Sequence, residues 1–304
     1  MALALAAALP AYVGGRRGFG LGATAVIAVV LALGYQVTYG FSGQLSVAVA
    51  PLQGIGAYAV ANLTTMEGWS FWASLLPAVM LAALIGAVVG LPGLRVRGDV
   101  LALATLGAGE ILQSLYLNTE TFTQGSDGIS GIPPLSVFGT ALDYRGLYLV
   151  ALVLGLVTLV AVLALRRSPL GRAWMALRDD DLAAQAFGIR TGRLRLLAFA
   201  VGAGIAGVAG AIYAVQDRFV SSVSFGLNQT VIVILVVLIA GEARIARTVA
   251  VAVVMTLVTD KLVPYGSVSE GLTGLLILGV VAARLGLFGA AWSRLRSITL
   301  AGAR

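Results

Sequence analysis

A chain of 304 residues that is 59% hydrophobic and 11% charged, with a mean hydropathy of +0.98, carries less than half the roughly 25% charge of a soluble globule and needs lipid around it. Cysteine and histidine are both zero, which excludes disulfides, thiolate or imidazole metal sites, cysteine nucleophiles and Ser-His-Asp triads; no metal site and no cofactor is expected. The single lysine, Lys261, follows Asp260, so no Walker A phosphate loop is present and any ATP chemistry belongs to another polypeptide.

The chain opens with a short apolar run, Met1 to Val13, without a positive segment before it; it reads as a first span or half-span rather than a secretory leader. Apolar runs follow near 20–39, 73–91, 99–118, 146–165, 194–215, 226–241, 248–264 and 271–289. Each approaches the ~20 residues that cross about 30 Å of hydrocarbon, and each is too long for a barrel strand. A ninth run, near 44–63, is Gly-rich and polar at its start. The expectation is an all-α, polytopic membrane helix bundle of about nine or ten transmembrane helices, forming a single domain over 1–304.

Within 38–58, Gly40, Gly43, Gly54, Gly56 and Pro51 interrupt apolar sequence, and Ser42, Gln44, Ser46 and Gln53 bring polar side chains to membrane depth. A discontinuous helix beside a substrate path has this character; close packing of small residues is the plainer reading. The pairs Gly86/Gly90, Ala203/Gly207 and Ala206/Gly210 read simply as close helix approaches. Glu110 stands near the middle of the span 99–118, where a carboxyl group is costly and suggests either function or a structural link to a helix end or to Gln44. The external loop 119–145 is rich in turn formers, and in it Ser126 and Asp127 belong to a turn or to an entry gate.

The internal loop 166–193 is the most informative. Asp179, Asp180 and Asp181 supply an N-cap and suit the positive end of a helix dipole. Leu182, Ala183, Ala186 and Phe187 then fall on one side, and Gly188 stops the helix. The residues alone leave two readings open: a membrane-parallel helix whose arginines meet anionic lipid, or a knob that docks in a groove of a cytoplasmic protein. Placing this loop in the cytoplasm puts fifteen of the twenty basic residues inside, as the positive-inside bias requires. Arg16 and Arg17 fall on the other side. Because the arginines border spans, no nucleic-acid surface is inferred.

Four ordered motifs then point to a family. FSGQLS (41–46) with GIGAY (54–58), LRVRGDVLALATLGAGEIL (94–112), GSDGISGIPP (125–134) and GRAWMALRDDDLAAQAFGI (171–189) resemble segments of the permease subunits of Liv-type branched-chain amino acid ABC importers. LLAFAVGAGIAGVAGAIYA (196–214) also matches, so the resemblance runs from about residue 20 to 260. Two departures stand out: VAVAPLQ lacks the family's Gly-His pair at Ala48 and Val49, and AGEAR (240–244) introduces Glu242 and Arg244.

The resemblance implies a bacterial-type inner-membrane permease subunit, with no bond chemistry of its own. Its partners would be a homologous second permease, two cytoplasmic ATPase subunits and a periplasmic substrate-binding protein. Coupling to the ATPase would run through Arg178, Asp179, Asp180, Asp181, Leu182, Ala183, Ala184, Phe187 and Gly188, and ATP-driven closure would move a path lined by Ser42, Gln44, Ser46, Gln53 and Glu110. The rival expectations are a permease for urea, short amides or other small carboxylates, and, in another class, an ion-coupled secondary transporter using Glu110.

Overall fold

The computed structural model describes residues 15–137 and 140–262. Helix α1 (Gly15–Tyr35) runs into a π-helical turn, Gln36–Phe41; α2 (Val49–Thr65), α3 (Phe71–Val89) and α4 (Asp99–Asn118) follow. The outer connection holds the single turn α5 (Glu120–Thr123) and short strands β1 (Ile129–Ser130), β2 (Ser136–Val137) and β3 (Thr140–Ala141). Helices α6 (Tyr144–Arg167), α7 (Pro169–Asp179), α8 (Asp181–Ala186) and α9 (Thr191–Asp217) precede strand β4 (Phe219–Val220), and α10 (Leu227–Ala240) and α11 (Ile245–Leu262) follow it. Strands β1 and β4 pair antiparallel, as do β2 and β3. Two compact units meet in sequence between Thr256 and Leu257.

Local chemistry sets the helix starts. Ser70 accepts from the Ala73 amide (3.3 Å), Asp143 from Gly146 (2.9 Å) and Ser168 from Gly171 (3.2 Å), so each takes one of the amides that a first turn leaves unpaired. Pro169 sits at the first position of α7, where its missing N–H costs nothing.

At the centre, α9 packs against α1, α2 and α3. It carries Gly202, Gly204, Gly207 and Gly210 among buried alanines. The crossing with α2 depends on glycine: a Cβ at Gly210 would lie 2.0 Å from the Gln53 carbonyl oxygen, and one at Gly56 would lie 2.3 Å from the Gly207 oxygen. Backbones approach this closely only without side chains.

The expectation of nine or ten spans is corrected. Six helical segments among the described residues are long and apolar enough to cross a membrane: 15–41, 71–89, 99–118, 144–167, 191–217 and 222–240. The run near 44–63 forms α2, only 17 residues long, about 25 Å at 1.5 Å per residue. It is buried on almost every face, so its apolarity serves contact with other helices rather than with lipid. Helix α11 carries Arg247, Asp260 and Lys261, too much charge for an apolar span. The runs 1–13 and 271–289 lie outside the described residues. The all-α, multi-pass class holds.

Contacts sort the helix ends. At one end Arg97 pairs with Asp181, Arg195 reaches the Gly93 oxygen (2.9 Å), Arg178 the Gly40 oxygen (2.8 Å) and Gln36 the Gly241 oxygen (3.1 Å). At the other, Trp72 donates to the Ser136 oxygen (3.2 Å), Tyr213 to Ser224 (2.9 Å), and β1 pairs with β4. Helices α1, α2, α3, α4, α6, α9 and α10 therefore alternate in direction. The basic segments near 95–97 and 166–195 gather at the first end, with the Gly241–Arg244 turn beside them.

Candidate functional site

The arginine-rich end is organised around α8. The three consecutive aspartates separate into three roles. Asp179 closes α7 and pairs with Arg178 at 2.7 Å. Asp180 is the N-cap of α8, accepting from the amides of Leu182 (2.9 Å) and Ala183 (3.0 Å). Asp181 turns inward, where its carboxylate meets Arg97 and lies 2.9 Å from Arg195. The Asp181 side chain is 12% exposed and that of Arg195 8%, so this pair is largely buried, while Arg97, 56% exposed, meets it from the solvent side. Arg195 spends its second guanidinium nitrogen on the Gly93 carbonyl.

The end of α8 is set by Gly188, whose φ of 79° lies in the left-handed region. The amide of Gly188 donates to the Gln185 oxygen (2.9 Å) and that of Ile189 to the Ala184 oxygen (3.1 Å), the pairing that satisfies terminal carbonyls. Gly188→Ala is expected to cost about 1–2 kcal/mol of local stability, read as faster amide exchange over 184–189; unchanged exchange would argue against the strain.

Ala184 is buried, while Ala183, Ala186 and Gly188 are exposed and the two large apolar side chains, Leu182 at 72% and Phe187 at 85%, project outward. The one-sided pattern of 182, 183, 186 and 187 thus forms a free apolar face, with the tether on the other side. Before it, α7 is anchored by buried Trp174, which donates to the Leu194 oxygen (2.7 Å), and by Arg178, which also lies 3.7 Å from Glu242.

Behind α8 lies the segment 42–53, whose residues from Ser42 to Val47 are irregular. Ser42 donates to the Thr38 oxygen (2.6 Å), and Gln44 donates to Ser42 (2.8 Å) and to the Arg195 carbonyl (3.3 Å). Ser46 accepts from the Ala48 amide (3.4 Å). Other elements supply what the missing helix does not: Thr105 accepts from the Val47 amide (3.0 Å), Thr230 from the Ala50 amide (3.3 Å), and Tyr116 donates to the Pro51 oxygen (2.7 Å). Irregular backbone at this depth is tolerated only when enclosed by protein in this way. Ser42, Gln44, Ser46 and Gln53 are all buried. The side-chain oxygens of Gln44 and Gln53 are buried with no hydrogen-bond partner among the described residues.

Glu110 is placed elsewhere. The face of α4 with Leu101, Thr105, Gly109, Leu112 and Tyr116 is buried, and Glu110 projects, exposed, from the other side. It forms no link to Gln44, whose amide is committed to Ser42 and Arg195. Ser126 and Asp127 are exposed at the far end, in the 3₁₀ turn Gly125–Asp127. There the Ser126 hydroxyl lies 3.5 Å from Asp127 Oδ1, and both residues line a recess with Glu120 and Gln124. The structure therefore brings 178–188 and 42–44 together, and leaves Glu110 and 126–127 apart from them.

Several participants escaped the sequence reading. Arg97 and Arg195 fall among the fifteen inside basic residues that set the topology, yet they hold Asp181. Thr105 and Thr230 carry a signal in retrospect: each is a hydroxyl within an otherwise apolar run.

The helices and this tethered, outward-facing loop helix define a multi-pass membrane protein. A family profile described as branched-chain amino acid transport system / permease component matches residues 19–283, and the chain belongs to that family. It is similar to the high-affinity branched-chain amino acid transport system permease protein LivM of Escherichia coli (strain K12), 35% identical over 281 residues, 84% of this chain and 66% of the relative. It is also similar to the autoinducer 2 import system permease protein LsrC of Enterobacter sp. (strain 638), 31% identical over 208 residues, 65% of this chain and 56% of LsrC. The permease protein LivH of Salmonella typhimurium is 30% identical over 215 residues, 64% of this chain and 68% of LivH. The chain thus spans about 66% of the length of the LivM proteins it matches. No solved structure matches it.

Proposed function

We propose that this chain is a permease subunit of an ATP-binding-cassette importer for branched-chain or similar amino acids, seated in an inner membrane of bacterial type. ATP hydrolysis belongs to two partner ATPase subunits. A homologous second permease and a periplasmic binding protein complete the machine; that LivM and LivH are named as separate permease proteins of one kind of system supports the second permease.

The observation that carries this reading is α8, which presents Leu182 and Phe187 outward from a helix tied down by Asp181. Two helical turns do not hold themselves in water; this one is held from behind and leaves its apolar side free, as a docking knob requires. Force applied there has a short physical route inward. Asp181 holds Arg195, whose carbonyl accepts from Gln44, and Arg178 holds the Gly40 carbonyl. Displacing α8 then moves the irregular segment 42–48 rather than a rigid helix.

The test is purification from native membranes in mild detergent, with Phe187→Glu and Leu182→Glu beside the unchanged chain. Both variants are expected to keep the bundle intact and to lose the co-purifying ATPase. A variant that retains the full complement of ATPase chains counts against docking through α8. Ala184 is left alone because it is buried. The likeness to LsrC, named for autoinducer 2 import, supports a second reading with another small polar solute. Competition against radiolabelled leucine uptake separates the two. ATP-independent accumulation by the chain alone in liposomes would instead favour an ion-coupled carrier.

A further inference from the structure

Three long helices of the bundle turn one side away from it. On α3 the exposed positions include Trp72, Leu76, Met80, Leu81, Leu84 and Val88, and on α6 they include Leu149, Val153, Leu156, Val157, Val160 and Leu163. Both sets are apolar throughout, as lipid contact demands. The outward side of α4 differs. It carries Leu103, Gly107, Glu110, Ile111, Ser114 and Leu115, so a carboxyl group stands near the middle of a 20-residue span. Glu110 has no ion-pair or hydrogen-bond partner among the described residues. A cation or hydrogen-bond donor from outside the described residues has to meet it, because hydrocarbon offers none.

We infer that this side of α4 packs against a second permease subunit, which presents a donor or a cation to Glu110 at mid-membrane depth. The inference rests on the importer reading and names the face through which its two permeases meet. Charge identifies the occupant: a lipid tail cannot answer a carboxyl group, whereas a neighbouring helix with an arginine, amide or hydroxyl can. The flanking residues fit helix contact. Glycine at 107 has no atom within 4 Å of where its Cβ would stand, and with Ser114, two turns further along the same face, it leaves room for a partner backbone. The outward sides of α3 and α6 face lipid.

The chain contains no cysteine, so a single introduced thiol is a unique reporter. Gly107→Cys and Ser114→Cys on α4, with Leu84→Cys on α3 and Val157→Cys on α6 as controls, are labelled with a maleimide benzophenone in native membranes and photolysed. The α4 sites are expected to yield an adduct with a second membrane permease identified by mass spectrometry, and the α3 and α6 sites to yield none. Nitroxide labels at the same sites are expected to be shielded from dissolved oxygen on α4 and accessible on α3 and α6. Glu110→Leu is expected to weaken the α4 adduct about tenfold, the value of one interhelical hydrogen bond, while Glu110→Gln largely preserves it. Oxygen access at 107 and 114 equal to that at 84 and 157, or an adduct confined within this one chain, overturns the inference. If that happens while ATPase subunits still co-purify, the importer reading stands and only the assigned face is wrong. A permease adduct without any ATPase has the opposite meaning.

Discussion

Asp181→Ala is expected to destabilise the arginine-rich end by about 3–5 kcal/mol, the range for removing one partner of a buried ion pair. The carboxylate meets both Arg97 and Arg195, and Arg195 is 8% exposed, so its removal leaves a guanidinium enclosed by protein with only the Gly93 carbonyl to answer it. Asp179→Ala is the matched control. That carboxylate also pairs with an arginine but is 67% exposed, and a solvent-screened pair contributes about 0–1 kcal/mol. Thermal unfolding in detergent and tryptic cleavage within 190–195 report the difference. Equal shifts for the two variants would show that the cluster bears no weight. Because Arg195 also holds Gln44 through its carbonyl, Asp181→Ala is expected to lose ATP-driven uptake even at temperatures where the bundle remains folded.

The second large effect is expected at the crossing of α2 and α9. Gly210→Ala places a methyl group 2.0 Å from the Gln53 carbonyl oxygen and 2.7 Å from the Ala57 amide nitrogen. The obstructing atoms are backbone, so neither a rotamer change nor a flexible side chain can relieve the contact. Overpacking of this kind costs about 1–3 kcal/mol and sometimes more, and here the helices must separate along their whole crossing. Gly20→Ala offers the opposite case: no atom lies within 4 Å of its added methyl group, and alanine favours a helix over glycine by about 0.5–1 kcal/mol. A lower thermal midpoint for Gly210→Ala and an unchanged or higher one for Gly20→Ala is the expected pattern. The reverse order would place the tight contact elsewhere.

The reading of the internal loop shows what is legible in a linear pattern. The short helix read over 179–188, its aspartate cap and its glycine stop follow from rules that span four residues; the structure keeps the cap at Asp180 and the stop at Gly188 but starts the helix at Asp181, with Asp179 ending α7. The division of labour among Asp179, Asp180 and Asp181 was not legible. All three have the same chemistry, and only Arg97 and Arg195, far away in the chain, draw one of them inward. Glu110 repeats the lesson in reverse. Its depth in the membrane follows from counting along the span, but the side of α4 that faces the bundle depends on where Val47, Pro51 and Tyr116 come to rest.

The span count failed for a related reason. Hydropathy registers how apolar a run is, and α2 is as apolar as its neighbours although other helices, not lipid, cover it. Composition and the lengths of the apolar runs thus determined that this is an all-α membrane chain, because that depends on which residues are present and how they follow one another. Tertiary structure alone decided which helix is enclosed, which carboxylate is buried and which face of α4 is left without a partner among the described residues, because each depends on what an apolar or charged group meets across space.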